Sequence, residues 1–299
     1  MKTTAITKED LAGSVLAVPP LARRPDGAVC PVENAKIIRH IEGGGISTLL
    51  YGGNANFYHI RPSEYRSTLE MLVETVAPDT WVIPSAGPCH GTALDQAEIL
   101  KGFDFPTSMM LPMSGLTTGE GVARGFRQYV EAVGRPAVLY LKADGYLEHE
   151  EVAELVNDGF VSFIKYARVE ADPAVDAYLE KLVTLVSPDL IVSGIGEQPA
   201  ITHLRKFGLT GFTAGCVCVA PRLSETFRKY VQAGKIQEAE TLRKLFRPLE
   251  DLRNEINPIR VLHDAVALAG IAETGPAFPL LSNLSVEERE RVEVAAKEL

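Results

Sequence analysis

The chain reads as a (β/α)8 TIM barrel with a C-terminal helical extension, and three features of its 299 residues point there. Eight short runs of aliphatic and β-branched residues recur between about residue 13 and about residue 233, the number of strands that closes such a barrel. Segments of helical period separate them, as crossovers between parallel strands require. Runs such as Trp81-Val82-Ile83 are apolar throughout instead of alternating, which is the pattern of strands buried on both faces. A doubly wound open sheet built from the same units is the alternative topology.

The runs are Ser14–Ala17, Ser47–Tyr51, Trp81–Pro84, Met109–Met113, Ala137–Leu141, Val161–Ala167, Leu190–Ser193 and Gly211–Cys216. A helix opens at Pro62-Ser63-Glu64, where proline presets φ at the first helical position, and continues through Tyr65 and Leu69 to Val76. Further helices are predicted over Thr92–Leu100, Gly121–Val133, Glu148–Leu155, Pro173–Val186, Gln198–Lys206 and Arg222–Gln232. After the eighth unit only helical period remains, over Lys235–Asn254, Pro258–Ala269 and Val286–Leu299. The expected organisation is a barrel over residues 1–233 and a helical extension over 234–299 packed on it.

With 30 Lys+Arg against 39 Asp+Glu, the formal net charge is −9, so no basic surface for a nucleic-acid backbone is expected. No apolar stretch approaches membrane-spanning length, and Glu9 and Asp10 precede the first apolar run, unlike the start of a signal peptide. Cys30, Cys89, Cys216 and Cys218 are too few and scattered for a disulfide scaffold, so a cytoplasmic setting is expected. Cys216 and Cys218 read as small buried strand residues. His40, His59, His149, His203 and His263 form no i, i+4 pair, and no metal site is expected. Gly43-Gly44-Gly45 precedes a strand instead of linking a strand to a helix, which excludes a phosphate loop.

In a barrel of this kind chemistry belongs at the C-terminal ends of the strands. Lys165 lies inside the apolar run Val161-Ser162-Phe163-Ile164-Lys165-Tyr166-Ala167. Facing a cavity, its amine would be desolvated and available as a neutral nucleophile; at a strand edge it would snorkel to water. Tyr140 closes the preceding run one βα unit earlier, where it is either a proton-transferring phenol or a core tyrosine.

Gly52-Gly53-Asn54 after the second strand, Leu139-Tyr140 on the fifth, Phe163-Ile164-Lys165 on the sixth, Ser193-Gly194 after the seventh and Asn257-Pro258-Ile259 in the tail together resemble the dihydrodipicolinate synthase/N-acetylneuraminate lyase family of class I aldolases. The resemblance implies that Lys165 forms a Schiff base with pyruvate or another 2-oxo acid and that Tyr140 transfers protons. It further implies a pocket lined by Gly52, Gly53, Asn54, Ser114, Gly194, Gly196 and Thr213, no cofactor, and a homotetramer or homodimer.

The chain also departs from the family pattern. Gly53-Asn54 replaces the paired hydroxyls of Gly-Thr-Thr-Gly-Glu, leaving backbone N–H groups and the Asn54 amide to meet a carboxylate. Leu111-Pro112-Met113-Ser114 stands where synthases place a Tyr-Tyr pair, with Ser114 a partial stand-in. The arginine that receives an aldehyde substrate's carboxylate has no clear counterpart, and Lys142 is a candidate substitute. Tyr166 replaces the glutamate that commonly follows the lysine. Asn54, Asn56 and Ser114 are polar groups suited to a hydroxylated, sugar-derived acid, and Ser85, Cys89 and His90 lie after the third strand without an assigned part. The expected function is a lyase acting on a 2-oxo acid; a barrel that binds ligand without turnover is the alternative.

Overall fold

The computed structural model describes residues 1–299. Eight parallel strands close on themselves in chain order: β1 (Leu16–Ala17), β2 (Thr48–Tyr51), β3 (Trp81–Ala86), β4 (Met109–Met110), β5 (Ala137–Leu141), β6 (Val161–Tyr166), β7 (Ile191–Ser193) and β8 (Gly211–Ala214). Pairing of Leu16 with Thr213 and of Ala17 with Ala214 makes the last seam, so the sheet is a barrel and the open alternative falls. The strands are buried almost throughout, which is why their sequences show no polar face. Two seams are thin. β4 joins β5 at the single register pair Met109–Val138, beside an irregularity at Ala137/Val138.

Helices α1 (Lys8–Gly13) and α2 (Pro31–Gly43) precede β1 and β2, and α3 (Pro62–Thr75) to α9 (Pro221–Gln232) follow in the expected alternation. The intervening ones are α4 (His90–Leu100), α5 (Gly119–Val133), α6 (His149–Asn157), α7 (Ala177–Leu185) and α8 (Ala200–Lys206). Sequence reasoning missed α1 and α2. The former is one turn closed by a capping box between Thr7 and Asp10. The latter starts on Pro31 with no capping side chain, and its buried Ile37, Ile38 and Ile41 are β-branched, weakening the helical signal. α7 starts at Ala177 and not at Pro173, because Asp176 accepts a hydrogen bond from the Leu179 N–H and sets the cap there. β8 ends at Ala214, and Cys216–Cys218 form a buried 3-10 turn instead of continuing the strand.

The chain ends in α10 (Ile236–Glu255), α11 (Pro258–Leu268) and α12 (Val286–Glu298). A run of edge-to-face aromatic contacts links α10 to the barrel wall: Phe212 on β8 meets Phe227 on α9 at 5.6 Å between ring centroids, and Phe227 meets Phe246 on α10 at 6.1 Å. All three rings are fully buried. Asn257 then caps α11 by accepting from the N–H groups of Ile259 and Arg260, which fixes the turn between α10 and α11 over the barrel mouth. No helix is long and apolar enough to cross a membrane.

Candidate active site

Strands β5 and β6 run in register so that Tyr140 pairs with Lys165. The two side chains reach one cavity of about 340 Å³, also lined by Gly53, Asn54, Tyr58, Lys142, Gly194, Gly196 and Thr213 and closed above by Arg253, Asn254 and Asn257. Lys165 Nζ lies 3.8 Å from the centroid of the Tyr140 ring. Such a cation–π contact favours the ammonium by about 0.5–2 kcal/mol. Desolvation works against it and prevails: Lys165 is only 5% exposed, and burial, reinforced by the Arg253 guanidinium, brings its pKa down to about 7. The neutral amine is therefore accessible near neutral pH. Burial pushes the Tyr140 phenol up, with Lys142 and Arg253 pulling the other way, so its proton is held.

Of the residues expected at the site, Gly53, Asn54, Tyr140, Lys165, Gly194, Gly196 and Thr213 line this cavity together. Gly52 does not. It packs behind the wall, where a Cβ would come within 2.7 Å of Met109 Cε. Ser114 is exposed beyond β4, between Met113 and Gly115, which line a separate cavity of about 540 Å³ against α5. That larger cavity includes His90 and lacks both Lys165 and Tyr140. Asn56 is buried with φ 54°, and its Nδ2 donates to the Phe278 carbonyl at 3.0 Å instead of facing the cavity. Ser85 is buried on β3, and Cys89 is exposed just before α4. Tyr166 turns to the other face of β6, where its hydroxyl donates to Asp176 Oδ2 at 2.6 Å.

Sequence reasoning missed Tyr58 and Arg253. Tyr58 belongs to a 3-10 turn after β2, over Phe57–His59, and its ring lies 5.9 Å from Lys142 Nζ. Arg253 is in the last turn of α10, a helix whose many charges give no sign of which one faces inward.

An acid pair is buried among the segment after β7, α9 and α10. Glu197, just after β7, and Glu250 on α10 are both buried. Glu197 Oε1 accepts from Ser224 Oγ at 2.6 Å, and Glu250 Oε1 accepts from the Glu197 N–H at 2.8 Å. The remaining oxygen of each has no protein donor. Burial and then the Glu197 charge push the Glu250 carboxyl well above its usual range, against the pull of Arg253, so the pair retains a proton.

A dehydratase of Streptomyces avermitilis, described as a probable 5-dehydro-4-deoxyglucarate dehydratase, is 27% identical over 248 residues, covering 80% of this chain and 77% of that one. A 4-hydroxy-tetrahydrodipicolinate synthase of Pseudomonas putida is 26% identical, covering 81% and 82%. The crystal structure of dihydrodipicolinate synthase from Bacillus clausii superposes with a TM-score of 0.86 at 21% identity, over 97% of this chain and 98% of that one, and shares the fold. Residues 13–299 match the model of the dihydrodipicolinate synthetase family, and it is to this family that the chain belongs.

Proposed function

We propose that the protein is a class I lyase that binds a 2-oxo acid, pyruvate or a longer sugar-derived one, as an imine on Lys165. The observation that carries this reading is a buried lysine with its pKa brought down to about 7, paired in register with a buried phenol at the C-terminal end of the barrel. Family membership supports it, as does the likeness to relatives named a dehydratase and a synthase.

In this mechanism the neutral Nζ adds to the carbonyl carbon, and the carbonyl oxygen takes a proton from the Tyr140 hydroxyl. One of the two amine hydrogens passes to the same oxygen, which leaves as water; the nitrogen keeps the other, and the product is a protonated imine balanced by the Tyr140 phenolate. The imine then draws in the electron pair of a neighbouring bond, so that either a carbon–carbon bond breaks or a proton departs ahead of a hydroxyl. Tyr140 recovers its proton from the reacting group and returns it in the second half of the reaction. Asn54, Gly194 and Thr213 line the space for the substrate, and no cofactor enters any step. Family membership also supports an assembly of two or four copies, which light scattering reads directly.

The test is borohydride reduction in the presence of pyruvate and of longer 2-oxo acids, followed by peptide mass spectrometry. An adduct on the Lys165 peptide, absent from Lys165→Ala, is the expected result. No adduct with any member of the panel overturns the imine.

A further inference from the structure

The cavity around Lys165 has no carboxylate in its lining, although the chain as a whole carries a net charge of −9. Its lining cations are Lys165, Lys142 and Arg253. Lys142 is exposed at the rim, where water screens it. Lys165 is the amine that reacts. Arg253 is half-buried and close enough to both Lys165 and Tyr140 to act on their charges.

The structure makes room for this guanidinium. A Cβ on Gly215, just after β8, would lie 2.5 Å from Arg253 Cζ, so the absence of a side chain there lets the planar group lie against the backbone. Glu250, one turn earlier on the same helix, and Glu197, which bonds to it from the segment after β7, form a buried acid pair close enough to Arg253 for the charges to act on each other. No carboxylate forms a direct ion pair with Arg253. Its one protein hydrogen bond is a long contact, 3.4 Å, from Nε to the Pro258 carbonyl, which leaves both terminal nitrogens free. A guanidinium fork with unpaired donors, packed on Gly215 and lining a cavity, matches the two oxygens of a carboxylate.

We propose that Arg253, brought to the barrel mouth by α10, is a receptor for the carboxylate of the 2-oxo acid, supplying across the cavity the donors that the Gly53-Asn54 turn lacks for want of paired hydroxyls. The proposal rests on the imine reading given above for its substrate class. It makes α10 part of the binding site and not simply a cover for the barrel.

The experiment compares pyruvate with hydroxyacetone, a carbonyl compound without a carboxylate, in borohydride trapping on the wild-type chain and on Arg253→Met. The pyruvate concentration giving half-maximal adduct is expected to rise about tenfold or more in the variant, while that for hydroxyacetone changes less than about twofold. Equal losses for both compounds overturn the proposal, because Arg253 would then act through Lys165; so does no change for either. Should Arg253→Met not fold, Arg253→Lys keeps the charge without the fork. It is expected to show a smaller loss confined to pyruvate, and a loss shared by both compounds overturns the proposal. Absence of any adduct on the wild-type chain fails the imine reading instead. Calorimetric titration with pyruvate then decides Arg253: binding weakened by Arg253→Met upholds the receptor, while unaltered or absent binding overturns it.

Discussion

Lys165 has two properties with one cause. Burial that makes its ammonium costly also makes its amine reactive near neutral pH. The rate of adduct formation with a 2-oxo acid is therefore expected to rise with pH through about 7, as the neutral fraction grows, and a pH series of trapping rates measures it. A limb near the ordinary lysine value of 10.5 would contradict the burial argument. Lys165 was legible in the sequence because a cation inside an apolar run is an anomaly in that pattern. Tyr140 was legible through its interval from Lys165, which register then explains. Arg253 was not legible: on an amphipathic helix a cation that turns inward and one that turns to water look alike, and only packing against Gly215 separates them. Ser114 misled for the complementary reason, since nothing local told the exposed segment after β4 from a cavity wall.

At the scale of elements, the strands were readable because closure buries both faces of each, leaving continuous apolar runs. Their ends were less so. β1 and β4 are two residues long, and the flanking apolar residues Val15 and Leu111 are buried without belonging to a strand. α2 was lost because its start carries no capping side chain and its stripe is isoleucine. The Phe212–Phe227–Phe246 contacts make a further point, since they tie β8, α9 and α10 into one packing unit. Phe227→Ala is expected to cost about 3–5 kcal/mol in a denaturant titration. It should also raise protease cleavage near α10 more than near β2, because the lost ring sits between that helix and the wall. Cleavage raised evenly along the chain would show that α10 does not depend on this contact.

For the molecule as a whole, two buried ionisable sites give stability opposite dependences on pH. The folded Glu197–Glu250 pair holds a proton that the unfolded chain releases near 4.5, so stability falls as pH rises above that value until the folded pair also lets go. Lys165 acts in reverse. Between about 7 and 10.5 the unfolded chain binds the proton that the folded one lacks, and stability rises with pH across that window. Glu250→Gln, which keeps the shape and removes the charge, is expected to be more stable than the wild type by about 1–3 kcal/mol at pH about 8. The difference should shrink towards pH about 4, where both forms of the acid are protonated. Melting temperatures of the two proteins across that range test it, and a difference independent of pH would mean that the pair keeps no proton.

The unequal seams around the barrel have a bearing on motion. Where β4 meets β5 at one register pair, little backbone bonding resists a local parting, whereas β5 and β6 are joined from Ala137 to Tyr166 along their whole length. The wall that carries Tyr140 and Lys165 is thus the stiff arc of the ring, and its pliant arc adjoins the exposed segment after β4. In deuterium exchange, the Val138 amide, which donates to the Ser108 carbonyl across the thin seam, is expected to exchange well before those of 163–166, so that breathing at the rim leaves Lys165 in place.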